Sequence, residues 1–173
     1  TSSASKQASA VRRSGFVTVG RLVPYKRVDI IIKACNELGV PLTVVGRGPE
    51  YKKLVKMAGP TIKFVTDATD ENVVSYMASA EAFIFAAHED FGITPVEAMA
   101  AGTPVIAYKA GGALDYVIEG ETGVFFKKQT LESVAAAIRS FDKNDYVHVA
   151  DKVLNYSSQS FLDNIERYLK EVL

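Results

Sequence analysis

The densest chemical signal in this sequence is the run His88-Glu89-Asp90-Phe91-Gly92-Ile93-Thr94-Pro95-Val96-Glu97. It leaves an apolar strand pattern and enters a helical one. Thr94 suits an N-cap, Pro95 the first helical position and Glu97 the third, which together spell a Thr-x-x-Glu capping box. A helix start offers free amide groups and a positive dipole end to phosphate, and Gly92 keeps the approach open. Glu89 on the loop and Glu97 a turn into the helix can face one cleft, where carboxylates accept hydrogen bonds from sugar hydroxyls. Carboxylates beside a phosphate need compensating cations. Gly20-Arg21-Leu22-Val23-Pro24-Tyr25-Lys26-Arg27 supplies them after the first strand, Arg21 as a bidentate fork and Lys26 as a mobile point charge. Each residue also has a plainer reading. Glu97 can simply cap its helix, Glu89 and Asp90 can be solvated loop charge, Phe91 can be core, and Arg21 and Lys26 can be surface cations.

Positioning these groups requires strands that end together. Strand-length apolar runs occur at Gly15–Val19, Leu42–Val45, Ile62–Val65, Ala82–Phe85, Val105–Ala107 and Gly123–Phe126. Several are almost wholly apolar, as expected of strands buried on both faces. Helical patterns intervene at Val28–Leu38, Glu50–Met57, Asp70–Ala78, Pro95–Ala100, Leu114–Val117 and Leu131–Phe141, and a last one covers Ser160–Val172. Asp145–Ser158 has only weak helical spacing. Alternating strands and helices predict an α/β fold: a doubly wound, Rossmann-like open parallel sheet with helices on both faces. Ligands of such sheets bind beyond the carboxyl ends of the strands. Residues 1–13, small, polar and aperiodic, read as a linker, and 14–173 as one domain.

The other glycine-rich segments narrow the chemistry. Gly46-Arg47-Gly48-Pro49-Glu50-Tyr51 follows a strand, but Tyr51 replaces the third glycine of the dinucleotide fingerprint. Neither a Gly-x-x-x-x-Gly-Lys-[Ser/Thr] loop nor a Gly-x-Ser-x-Gly elbow occurs. Ala110-Gly111-Gly112-Ala113 permits close backbone approach or a tight turn, and Gly120-Glu121-Thr122-Gly123 a hairpin or bend; turn duty is the safer assignment for both. His88 is a general base by type, but without a partner in sequence it reads as a polar contact.

Composition sets the outer limits. The 173 residues, 48% hydrophobic and 23% charged, belong to a globular chain large enough for its own core. Twenty basic side chains balance twenty acidic ones, so no overall field favours nucleic acid, and any anion site is local. One cysteine, Cys35, and two histidines argue against a disulfide or a metal cluster. Cys35 falls on the apolar face of its helix and reads as core. No window approaches a membrane span, and a cytoplasmic setting is expected.

The ordered motifs resemble the C-terminal half of family 4 glycosyltransferases, which are retaining enzymes of the GT-B fold. Those motifs are Gly20-Arg21 with Lys26, Gly46-Arg47-Gly48-Pro49-Glu50, Glu89-Asp90-Phe91-Gly92 with Glu97-Ala98, Ala101-Gly102-Thr103-Pro104-Val105-Ile106-Ala107, Gly111-Gly112 and Gly120-x-x-Gly123. The likeness runs from about Gly15 to Phe126, with Glu89-Asp90-Phe91-Gly92-Ile93 nearest the mannosyltransferase-like subgroup. The resemblance implies that Arg21 and Lys26 bind a donor diphosphate without metal. It implies that Glu89 meets the hexose and Glu97 the ribose, that Phe91 lies at the donor, and that amides of Gly92, Ile93 and Thr94 meet sugar and phosphates. The loop after Ile62–Val65 would meet the base. The donor would be GDP-mannose or a UDP-sugar, the acceptor a glycan or lipid-linked glycan, and the full-length enzyme cytoplasmic or peripheral at the inner membrane surface. The chain departs from the family in Asp115, where Glu is common, in Ala86-Ala87-His88, and in lacking an acceptor domain. It should therefore hold donor without transferring it. A sugar-nucleotide epimerase or phosphorylase-like enzyme, and a non-catalytic interaction module, are the competing readings.

Overall fold

A computed structural model describes residues 12–157. Six parallel strands form one sheet: β1 (Phe16–Val19), β2 (Leu42–Val45), β3 (Ile62–Val65), β4 (Ala82–Phe85), β5 (Val105–Tyr108) and β6 (Gly123–Phe126). Their order is β3-β2-β1-β4-β5-β6. The helices are α1 (Val28–Leu38), α2 (Tyr51–Met57), α3 (Asp70–Ser79), α4 (Ile93–Ala100), α5 (Ala113–Tyr116), α6 (Leu131–Ser140) and α7 (Val149–Ser157). Successive strand residues point to opposite faces, and two cores result. Phe16, Val44, Ile84 and Ile106 pack with α1 and α6, whereas Val17, Val45, Phe83 and Val105 pack with α3, α4 and α7. Every residue of β4 is buried, and each full-sized apolar side chain so placed contributes about 1.5–3 kcal/mol. That makes β4 a firm base for the loop it feeds. Cys35 is fully buried, and burial raises its thiol to about 12, as a core residue requires.

The strand order reverses between β1 and β4. Their ladder pairs only Phe16 with Ala82 and Val17 with Phe83, whereas β1 follows β2 to the Val19–Val45 pair. β1 and β4 thus lose their pairing before their carboxyl ends, where a crevice opens.

Some boundaries shift. The ambiguous segment before Ser158 is a 3-10 turn at Lys143–Asp145 followed by α7, whose Val149 and Val153 are buried in the second core. Arg13, assigned by sequence to the linker, belongs to the folded body. Its guanidinium donates to the Thr103 hydroxyl and to the carbonyls of Ala80 and Ala101, and Ser14 N–H donates to Ser79 O. The apolar stripe of Phe161, Ile165, Tyr168, Leu169 and Val172 lies outside the described residues.

Glycines set how closely the loops beyond the strands approach. A Cβ on Gly46 would strike the Gly20 carbonyl oxygen, and one on Gly111 would strike that of Glu89. Both have positive φ, 150° and 61°. Gly46→Ala and Gly111→Ala should each cost more than the ~1 kcal/mol of a left-handed position alone, on the order of 2–4 kcal/mol. Gly120, with φ of 82° and open space around it, is the control: Gly120→Ala should cost about 1 kcal/mol. Equal losses in urea denaturation for all three would refute backbone contact as the cause.

Candidate functional site

The crevice gathers the loops that sequence singled out. Gly20 and Arg21 leave β1 and lead into a 3-10 turn, Pro24–Lys26. Arg27 then adopts a left-handed conformation with φ of 51°, unusual for a residue with a side chain. Its guanidinium grips Asp29 at 3.1 and 3.4 Å. Burial works against the Asp29 charge, but the Arg27 hydrogen bond and charge hold that carboxyl below its ordinary value. The kink separates the turn from α1 and leaves Lys26 at the crevice, where its ammonium lies 2.5 Å from Glu89. The cation of the β1 loop and the carboxylate of the β4 loop therefore meet across the strand reversal. Both side chains are largely shielded, at 17% and 15% exposure, so the pair is far less screened than a surface salt bridge. The Lys26 ammonium also lies over the Phe85 and Tyr25 rings, at 5.9 and 5.5 Å.

Each charged loop is braced by a glycine loop. Leu22 N–H donates to Arg47 O and Glu50 N–H to Leu22 O, tying Gly46–Gly48 to the Arg21 loop. Gly112 N–H donates to Glu89 O at 2.7 Å. Gly111 and Gly112 meet the backbone carbonyls of Glu89 and Asp90 so closely that neither could carry a Cβ. Of the two uses the sequence allowed this pair, a turn and a close backbone approach, the less favoured one is present, and the pair buttresses Glu89.

The capping box is not formed. Helix α4 begins at Ile93 with Gly92 as an extended N-cap and no side-chain cap bond. Thr94 and Pro95 fall inside the first turn, where an amide has no intrahelical partner and proline removes nothing. A Cβ at Gly92 would lie 2.8 Å from the Tyr116 hydroxyl and 3.0 Å from Phe85, so any side chain there would push those two rings aside, and the helix starts two residues before the expected position. No side chain caps the first-turn amides of Ile93 and Thr94. Glu97 lies one turn further on, exposed, with no capping duty. Burial, then the charge of Asp70 on α3, raises its carboxyl above the ordinary value. Phe91 is half-buried and Ile93 is 52% exposed. His88 is exposed, its ring edge-on to Tyr108 at 6.2 Å.

Beside the crevice lies an open cleft of about 440 Å³, walled by Arg21 and Arg47 and floored by Val19, Val45 and Val65. The Arg47 guanidinium donates to Thr66 O. Among the described residues neither Arg21 nor Arg47 is ion-paired, so the cleft carries local positive charge in an otherwise balanced protein. The place of Arg47 in the cleft is not marked by its motif in sequence, where the two flanking glycines are the available clue. Tyr116 is likewise unmarked, since no spacing rule picks out its position. Among the described residues no three His, Cys, Asp or Glu side chains form a metal-binding group.

Residues 3–160 match the family described as glycosyl transferases group 1. The chain belongs to that family. This group 1 chain is 31% identical over 144 residues to a GDP-mannose-dependent alpha-(1-6)-phosphatidylinositol monomannoside mannosyltransferase of Mycolicibacterium smegmatis, covering 73% of this chain and 38% of that protein. It is 33% identical over 133 residues to a glycogen synthase of Mycobacterium tuberculosis, covering 70% and 32%. Among solved structures, Anabaena Alr3699/HepE in complex with UDP and glucose aligns with a TM-score of 0.74 and 26% identity, over 91% of this chain and 48% of that one. The fold is that of a GT-B glycosyltransferase domain, and the chain spans less than half the length of these relatives.

Stability against pH reports on Glu97. A carboxyl raised in the fold favours folding while protonated, and that contribution fades as pH rises through the folded value. Glu97→Gln removes the ionised form. At pH 7 it should melt at the same temperature as the parent or slightly higher, and the difference should close below the ordinary glutamate range. A clear loss of stability at pH 7 would restore a capping role.

Proposed function

We propose that this chain is the donor-binding domain of a retaining glycosyltransferase that moves a hexose from a nucleoside-diphosphate sugar to a glycan or glycolipid. The observation that carries the reading is the meeting of Lys26 and Glu89 at the strand reversal, beside unpaired Arg21 and the uncapped start of α4. A sugar nucleotide needs that division of labour. Arg21, Lys26 and the Ile93 and Thr94 amides take the diphosphate, and Glu89 and Glu97 accept hydrogen bonds from the hydroxyls of hexose and ribose. Phe91 and Gly92 shape the loop between them, and the cleft floored by Val65 receives the base. When the glycosidic bond breaks, negative charge grows on the departing diphosphate, and cations already in place stabilise it without reorganisation. In a retaining reaction the acceptor hydroxyl attacks from the face the diphosphate leaves, and a leaving phosphate oxygen accepts its proton. No described side chain has to form a covalent intermediate.

GDP-mannose is the first donor to test, because GDP-mannose-dependent enzymes are among the relatives; UDP-glucose comes second, given the HepE complex with UDP-glucose. The acceptor-binding half lies outside this chain, which is expected to bind donor without transferring it. Among the described residues no helix is long and apolar enough to cross a membrane, and a cytoplasmic or inner-membrane-peripheral setting for the whole enzyme is part of the proposal.

Calorimetry with GDP-mannose, UDP-sugars, GDP and UDP should find a ligand. Lys26→Ala should weaken it by about tenfold or more, the scale of a charge-assisted contact to phosphate. Glu97→Gln should weaken nucleotide binding severalfold while leaving the melting temperature in place. A folded protein giving no heat across the whole panel would sink the proposal.

A further inference from the structure

Among the described residues one buried side-chain polar atom lacks a hydrogen-bond partner: the Tyr116 hydroxyl. Its ring is only half-buried, so the hydroxyl is turned inward, away from the water that would satisfy it. It lies under the N-cap of α4, 2.8 Å from where a Gly92 Cβ would stand. The loop above carries Glu89. Burial first, then the charges of Glu89 and Asp115, push the phenol well above its ordinary value, so it remains protonated and able to donate. A nearby carboxylate is the natural acceptor for such a donor. Glu89, however, is engaged by Lys26 at 2.5 Å.

This inference rests on the diphosphate reading of Lys26. If Lys26 turns to phosphate, Glu89 loses its cation while still shielded from solvent, a costly state unless another donor replaces it. We propose that Tyr116 is the positioning residue that takes over Glu89 when the donor diphosphate draws Lys26 away, holding the carboxylate toward the hexose. The unsatisfied hydroxyl of the ligand-free protein is then a bond held in reserve. The exchange moves hydrogen bonds only. Lys26 goes from carboxylate to phosphate, and Tyr116 from no partner to carboxylate, with no net proton transfer.

A double-mutant cycle on this chain tests the exchange without any ligand. In the parent, Tyr116→Phe removes an unsatisfied buried hydroxyl and should raise the melting temperature by about 2–4 °C. In a Lys26→Ala background Glu89 already lacks its cation and should have turned to Tyr116, so the same substitution should lower it. Additive effects, with Tyr116→Phe shifting both backgrounds alike, would overturn the proposal. Calorimetry adds the ligand arm, with GDP against GDP-mannose and UDP against UDP-glucose. Tyr116→Phe should leave free-nucleotide affinity within twofold of the parent but reduce the extra affinity conferred by the hexose by about five- to tenfold. Equal losses for nucleotide and nucleotide sugar, or none for either, would also overturn it. A parent chain that binds none of the four defeats the functional reading instead, while the melting cycle still decides whether Tyr116 and Glu89 are coupled.

Discussion

The constraint that organises this domain is the early end of the β1–β4 ladder. Chain leaving β1 crosses toward β2 and β3, chain leaving β4 crosses toward β5 and β6, and the pairing of β1 with β4 stops at Val17 and Phe83. Backbone groups and loops at that point cannot be absorbed by a neighbouring strand. Charge fills the gap instead, with Lys26 from one side reaching Glu89 from the other. An ion pair with both members mostly out of water contributes less to net stability than its Coulomb energy implies, because desolvation offsets much of the attraction. Net stability alone therefore does not account for an ion pair at the crevice, which is the ground on which a ligand role for both groups is proposed.

The supporting shell is made of backbone. Gly46 and Gly48 press on the carbonyls of Gly20 and Leu22, and Gly111 and Gly112 on those of Glu89 and Asp90. Contacts between main chains have none of the rotamer freedom of contacts between side chains, so the two charged loops inherit the rigidity of β2 and β5. Placement on this scale decides whether a site is productive, since displacements near 1 Å are enough to spoil catalytic geometry.

Much of this was legible in the residues, for physical reasons that can be named. The six strands are short, apolar and buried by two helical layers, so hydropathy alone located them within about a residue. Gly39 stops α1 in a left-handed C-cap, as its position implied. What failed was local reasoning about a tertiary fact. Thr94, Pro95 and Glu97 satisfy every rule for a helix start, yet α4 begins at Ile93, with Gly92 as its N-cap packed beneath Tyr116 and Phe85. The docking of α7 on α4 escaped for the same reason, as did that of Arg13 on Thr103, since partners distant in sequence supply what periodicity lacks. Arg21, Lys26, Glu89 and Glu97 were found through their types and order. That Lys26 and Glu89 touch could be learned only from the topology.

One consequence of the Gly46-Arg47-Gly48 loop concerns how such a domain can diversify. The glycines on either side hold the main chain against its neighbour, while the side chain between them projects into the cleft and takes no part in that contact beyond its hydrogen bond to Thr66 O. The frame and its substituent are mechanically separate. A single codon change at position 47 could alter the charge, size or hydrogen-bonding pattern presented to a ligand without disturbing the fold, which is the kind of site at which an ancestral cleft acquires new tastes cheaply.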